Sequence, residues 1–168
     1  MNVVIREYQD TDFDVCAALS RELAQHHAEI YDVPSIAMKD QAKWLDGLIH
    51  KEGYSGIWLV EVDGKISGFC GLFSYGEEGE LEPVIVAKSS RNKGIGTRLI
   101  RHVVNEAKKR NIRYLSIRPV ARNKDAIALF TRLGFNMVGY VDLFQDLSNK
   151  QDREWKSGLT IHGMQLKY

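Results

Sequence analysis

The stretch Arg91-Asn92-Lys93-Gly94-Ile95-Gly96 stands between two apolar patterns of different period. Before it, Val84, Ile85 and Val86 form a β-type run. After it, Ile95, Leu99, Ile100, Val103, Val104 and Ala107 recur at helical spacing. A switch from strand to helix across a tight glycine turn commits this region to a sheet with a helix packed on it. The first N–H groups of such a helix have no intrahelical partner, and with the helix dipole they suit phosphate oxygens. Gly94 and Gly96 allow close approach of the backbone to a ligand, Arg91, Lys93 and Arg98 add positive charge, and Thr97 adds a hydroxyl donor. One reading is a diphosphate-bearing cofactor held by main chain. The other is an ordinary strand–helix turn with solvated cations. Leu99 occupies the third glycine position of a dinucleotide fingerprint, and no Gly-Lys-Ser/Thr triplet exists, which argues against Rossmann and P-loop sites.

The 168 residues, 44% hydrophobic and 27% charged, suit one globular domain spanning 1–168. A net charge of +1 gives no electrostatic case for nucleic acid or an anionic membrane. No apolar run approaches the ~20 residues of a membrane span. The start, M-N-V-V-I-R-E, has no signal-peptide core, so a cytoplasmic location is expected. Cys16 and Cys70 are isolated and read as buried thiols, and no His/Cys/Asp/Glu set has metal spacing.

Along the chain, Val3–Glu7 alternates as a strand. Thr11 or Asp12 can cap a helix running to about Tyr31, and a second helix covers Asp40–His50. Ile57–Val62 and Lys65–Ser74 are strands joined by the Asp63-Gly64 hairpin turn, and Gly68 and Gly71 hint at bends. Glu80–Ala87 is the next strand, followed by the helix Gly94–Arg110, a strand Arg113–Arg118 and a helix Lys124–Leu133 that Gly134 can close. Met137–Leu147 reads as a strand, Ser148–Gly158 as a polar loop, and Leu159–Lys167 as the closing strand, which holds His162. Adjacent His26 and His27 face different ways on a helix and make a poor metal pair.

The pattern V-x-x-x-x-R-x-x-G-x-G entering a helix resembles the acetyl-CoA loop of the GNAT superfamily of N-acetyltransferases. The segment from Arg122 to Phe135, R-N-K-D-A-I-A-L-F-T-R-L-G-F, resembles the family's N-x-x-A-x-x-x-[Y/F]-x-x-x-G-F segment. The two lie one helix and one strand apart, as the family arranges them. The resemblance implies an α/β fold: a single mixed, mainly antiparallel twisted sheet of about seven strands flanked by about four helices. It also implies transfer of an acetyl group from acetyl-CoA, without a metal, to a primary amine.

Carried over residue by residue, the diphosphate falls to Arg91, Asn92, Lys93, Gly94, Ile95, Gly96 and Thr97, and the pantetheine arm to the strand edge at Val84, Ile85 and Val86. A main-chain N–H near Val86 then polarises the thioester carbonyl. Asn123 maps to an asparagine that bonds the arm, its other reading being a helix N-cap. Phe130 borders the cofactor where many members carry a tyrosine that protonates the departing thiolate. Tyr140 is the substitute candidate, with a plain sheet aromatic as the alternative. Glu82 is the candidate general base, sharing a strand face with Glu80; a solvated acidic hairpin is the other reading. Arg118 stands where ribosomal-protein acetyltransferases often have glutamate, which argues against that subclass. Tyr31, Trp44, Tyr75, Trp155 and the acids from Glu77 to Glu82 suggest an aromatic, acidic acceptor cleft, suited to a small cationic amine more than to a protein. Such domains often pair through exposed final strands, so a homodimer is compatible. A non-catalytic acetyl-CoA-binding sensor or interaction module is the competing function.

Overall fold

Asp63 and Gly64, both at positive φ, make the two-residue turn that folds β2 (Tyr54–Val62) back on β3 (Lys65–Tyr75). A second tight turn leads into β4 (Glu78–Val86), and β1 (Val3–Glu7) lies against β2, so β1 to β4 form an antiparallel meander. After a crossover helix, β5 (Tyr114–Ile117) pairs in parallel with the first half of β4, which completes a mixed five-stranded sheet in chain order. This computed structural model describes residues 1–147 and 154–168. No described helix is long and apolar enough to cross a membrane.

Each face of the sheet carries a separate core. On one face, α1 (Phe13–Tyr31) and α2 (Gln41–Ile49) cover Ile57, Leu59, Phe69, Phe73 and Ile85. On the other, α3 (Ile95–Lys109) and α4 (Lys124–Arg132) cover Val60, Cys70, Leu72 and Leu81. The α3 residues Ile95, Leu99, Ile100 and Val103, spaced three and four apart, are all at most 1% exposed, as an amphipathic helix on a sheet requires.

The register of β4 shifts midway: Leu72 faces Leu81, whereas Cys70 faces Val84. The extra residue at Glu82-Pro83 is a bulge, and it reverses the alternation of the strand. Before it, Leu81 points into the α3 core; after it, Val84 and Val86 do so, and Ile85 points to the α1/α2 side. Gly71 lies opposite the bulge. A Cβ there would stand 2.2 Å from the Glu82 carbonyl oxygen, so a larger residue is excluded.

Several helix ends differ in detail from the sequence reading. Asp40 is the N-cap of α2, its carboxylate accepting from the N–H groups of Ala42 and Lys43. Asp12 precedes α1 but does not cap it. Its carboxylate takes two bonds from the Arg6 guanidinium at 2.7 and 2.8 Å and one from the Gln9 N–H. Arg6 also reaches Glu61, joining β1, β2 and the start of α1.

The expected strand Met137–Leu147 is absent, and so is the single seven-stranded sheet. Apolar residues there come in pairs, Met137-Val138, Tyr140-Val141 and Leu143-Phe144, so no face of period two exists to bury. Val138 and Phe144 are 83% and 80% exposed. The closing segment is a separate antiparallel hairpin, β6 (Ser157–Ile161) and β7 (Met164–Lys167). His162 and Gly163, both at positive φ, form its turn, so His162 lies outside the strands. Residues 148–153, most of the expected polar loop, lie outside the described residues.

Candidate active site

Gly94, in the left-handed region at φ 75°, ends the turn and serves as N-cap of α3. The first backbone bond of the helix runs from the Arg98 N–H to the Gly94 carbonyl, at 3.1 Å. Among the described residues, the N–H groups of Asn92, Lys93, Gly94, Ile95, Gly96 and Thr97 have no protein acceptor. The donors are therefore presented and unspent, at the positive end of a fifteen-residue helix. Two of the three cations expected here have other tasks in the fold: Arg91 Nε donates to the Val86 carbonyl at 3.0 Å, and Lys93 Nζ to the Ser89 carbonyl at 2.8 Å. They brace the turn and keep its potential positive. Ile95 is a core residue, only 1% exposed, so what it offers outward is its backbone.

The second half of β4 has an open edge. Pairing with β5 stops at Leu81 and Ile117, and beyond that point the two strands diverge. The Ala87 N–H bonds the Ser67 carbonyl on β3, so by alternation Ile85 also turns its backbone to β3, and Val84 and Val86 turn theirs to the opening. Of the three residues assigned to this edge, Val84 and Val86 present free N–H groups there among the described residues. Ile85 supports the strand from the core. The Val86 side chain lies where a Cβ on Gly96 would be 3.4 Å from it, so strand edge and phosphate-type turn adjoin.

Between the diverging strands and α1, α2 and α4 lies a cleft of about 370 Å³. Glu80, Glu82, Val84, Asn123 and Phe130 all line it. Asn123 caps α4, its side-chain oxygen accepting from the Ala126 N–H at 3.1 Å, which leaves its amide group available to a ligand. Phe130 is fixed by the end of α4: the Gly134 N–H bonds the Thr131 carbonyl and the Phe135 N–H bonds the Phe130 carbonyl, a Schellman closure. The accompanying apolar contact is Phe130 against Phe135, edge-on with ring centres 6.3 Å apart. Tyr140 is 89% exposed on the unpaired segment and does not line the cleft, so the structure does not bring the candidate acid to the other site residues.

Each carboxylate of the cleft has a cation. Glu82 receives a 2.8 Å bond from Lys51 Nζ, and the Lys51 ammonium is held above its ordinary pKa chiefly by that bond. Glu80 lies 3.4 Å from Arg118 Nε. The position that departs from the ribosomal-type glutamate thus neutralises a neighbouring acid. Lys39 also lines the cleft, and Lys43 and Lys51 line a contiguous groove that shares Trp44 and Glu82. The acidic character expected of the cleft is therefore cancelled by residues the sequence reading did not assign to it. Tyr75 sends its hydroxyl to the Glu52 carbonyl, and Tyr31 lies under the Arg122 guanidinium at 4.7 Å. Of the expected cleft aromatics, Trp44 is the one lining it among the described residues.

Two further residues were given no site role from the sequence. His27, on α1, lines the cleft, and burial holds its pKa below the ordinary imidazole value, with His26 and Arg91 acting the same way. Arg122, 8% exposed, donates to the main-chain carbonyls of Tyr168, Tyr31 and Glu154, and so ties the last hairpin and the end of α1 to the start of α4.

Comparison with known proteins agrees with this architecture. The chain is 35% identical over 104 residues to an uncharacterised N-acetyltransferase of Methanocaldococcus jannaschii, an alignment covering 58% of this chain and 46% of that protein. It is 32% identical over 85 residues to the ribosomal protein bS18-alanine N-acetyltransferase of Escherichia coli K12, covering 51% of this chain and 57% of the other. The chain thus spans about half the length of the curated relatives it matches. Among solved structures, the PaiA N-acetyltransferase of Thermoplasma acidophilum, determined in complex with coenzyme A, superposes with a TM-score of 0.65 at 17% identity, each chain fully covered. A family model described as the acetyltransferase (GNAT) family matches residues 16–135, well over half of the sequence. The unspent amides before α3, the parted strands and the match over the intervening core lead to one assignment: this chain belongs to the GNAT acetyltransferase family.

Proposed function

We propose that this protein is an N-acetyltransferase that moves the acetyl group of acetyl-CoA to the primary amine of a small molecule by direct attack. The observation that carries the reading is the continuity of two sets of free main-chain donors, those of the turn before α3 and those of the β4 edge. In this reading the first set holds the diphosphate of the cofactor. The second holds the amides of the pantetheine arm as an added strand, with Asn123 and Phe130 on its other side. The Val86 N–H is the candidate donor to the developing oxyanion.

The amine arrives as an ammonium and must lose a proton before it can attack. Glu82 takes that proton, directly or through water, once the incoming ammonium replaces Lys51 beside it. The nitrogen lone pair then forms the C–N bond, the tetrahedral intermediate releases the second N–H proton to water and collapses, and the C–S bond breaks. Coenzyme A departs as a thiolate, which needs no enzymic acid at its pKa of about 8.5. That suits a cleft where Phe130 replaces a proton donor and Tyr140 lies elsewhere. A small-molecule acceptor fits the cleft better than a protein chain because α1, α2 and α4 wall it on three sides.

Release of free thiol from acetyl-CoA in the presence of a panel of primary amines tests the proposal, with acetyl-CoA raising the melting temperature as the binding control. Turnover with at least one amine supports the enzyme. Tight acetyl-CoA binding without turnover for any amine favours the sensor.

A further inference from the structure

The charge balance of the cleft says what the acceptor carries besides its amine. Glu80 and Glu82 are each matched by one cation, Arg118 and Lys51. Two lysines remain at the start of α2: Lys39, which lines the main cleft, and Lys43, which lines the groove beside it. Among the described residues neither has a carboxylate within 4.0 Å. Asp40, between them in sequence, spends its carboxylate on the N–H groups of Ala42 and Lys43 and lines neither space. Trp44 lines both, 37% exposed, and offers them a shared apolar surface.

This geometry points to an acceptor of the amino-acid type: a small amine bearing a carboxylate, its ammonium at Glu82, its carboxylate between Lys39 and Lys43, and its side chain against Trp44. The inference rests on the acetyl-transfer reading and narrows it. A simple polyamine would bring only positive charge to a wall that already holds unpaired cations. A carboxylated amine replaces Lys51 at Glu82 and supplies the anion that Lys39 and Lys43 lack. The arrangement uses opposite charges to orient one ligand, and orientation of this kind sets specificity as well as affinity. The bond changes are those of the transfer above, with the acceptor nitrogen supplying the electron pair, its first proton passing to Glu82 and its second to water.

The test compares matched pairs that differ only in the carboxylate: tyrosine with tyramine, phenylalanine with phenethylamine, lysine with cadaverine. O-phosphoethanolamine with ethanolamine forms a fourth pair for a phosphate. The expected result is a kcat/KM at least tenfold higher for the carboxylated member of at least one of the first three pairs. In the Lys39→Gln/Lys43→Gln double variant that ratio falls toward one, through KM of the carboxylated member. Both side chains are solvent-facing, and an unchanged melting temperature and acetyl-CoA affinity verify that the variant is folded. Equal or better use of the decarboxylated amines overturns the inference, as does a preference that survives the double substitution. A preference confined to the phosphate pair overturns the carboxylate assignment. If an amine of the wider panel is acetylated but none of these carboxylated amines is, the acceptor class is refuted while the acetyl-transfer reading stands; if acetyl-CoA binds and no amine of either panel is acetylated, the enzyme reading fails with it. If acetyl-CoA does not bind, the acetyl-transfer reading itself fails.

Discussion

Gly96→Ala separates the two tasks a glycine can have in this turn. Gly96 is not at positive φ, and a Cβ there would meet Val86 Cγ2 at 3.4 Å and Leu129 Cδ2 at 3.7 Å, which are ordinary contacts. The protein itself has room for the methyl. It lies in the first turn of α3, where alanine is preferred to glycine by up to about 1 kcal/mol. The unliganded variant should therefore melt at the wild-type temperature or up to about 4 °C above it. The ligand is affected differently. If the turn holds the diphosphate as proposed, a methyl on it should cost at least one charge-assisted N–H bond to the ligand, worth about 1.5–3 kcal/mol. That is about a 10- to 150-fold rise in the acetyl-CoA dissociation constant. Thermal unfolding without ligand and calorimetric titration with acetyl-CoA measure both quantities on one sample. An unchanged dissociation constant refutes the cradle, and a fall of several degrees in melting temperature refutes the packing. Gly94→Ala is the contrasting control. It has open space around its Cβ position but a φ of 75°, so it should lose about 1 kcal/mol of stability through backbone strain.

Glu82→Gln should lower kcat by about 10²-fold or more while leaving acetyl-CoA affinity intact, and a kcat unchanged across pH removes Glu82 from the chemistry. The Arg6 hydrogen bonds, with desolvation opposing, hold the Asp12 carboxyl below its ordinary value of 3.8. Its contribution is therefore complete above about pH 4 and is lost as pH falls below that, because the unfolded chain takes up the proton first. Asp12→Asn should lower stability at pH 7 by about 2–3 kcal/mol and flatten the acid limb of the stability curve, as read by urea unfolding at several pH values. Burial pushes the Cys16 thiol up to about 12 and the Cys70 thiol higher still, so neither should react with an aromatic disulfide reagent until the protein unfolds. Prompt labelling of one thiol in the native state contradicts that burial.

The elements that sequence reading recovered are those whose signal is local. The α3 stripe from Ile95 to Val103 and the Asp63-Gly64 turn are complete within a few residues. Gly134 closing α4 is equally local, because φ there is set by the chain itself. Asn123 bore both of its possible roles openly: the cap is made, and the same side chain still lines the cleft. Met137–Leu147 misled because its apolar content is high while its pairing by twos denies it a buried face. Tyr140 went with that strand.

Local periodicity and glycine placement, both short-range properties, determined from the sequence alone that a strand, a turn rich in unspent amides and an amphipathic helix follow one another. The folded structure decided the side to which each charge points. The bulge at Glu82-Pro83 reverses the strand's faces, and it depends on the register against β3. Lys51 meets Glu82 across 31 residues of chain, and Arg118 meets Glu80 only because β5 pairs with β4 in parallel. Coulombic partners are chosen by distance in space, which is fixed only when the strands have found their register. The electrostatic character of the cleft could not be read from an acidic run of sequence for that reason.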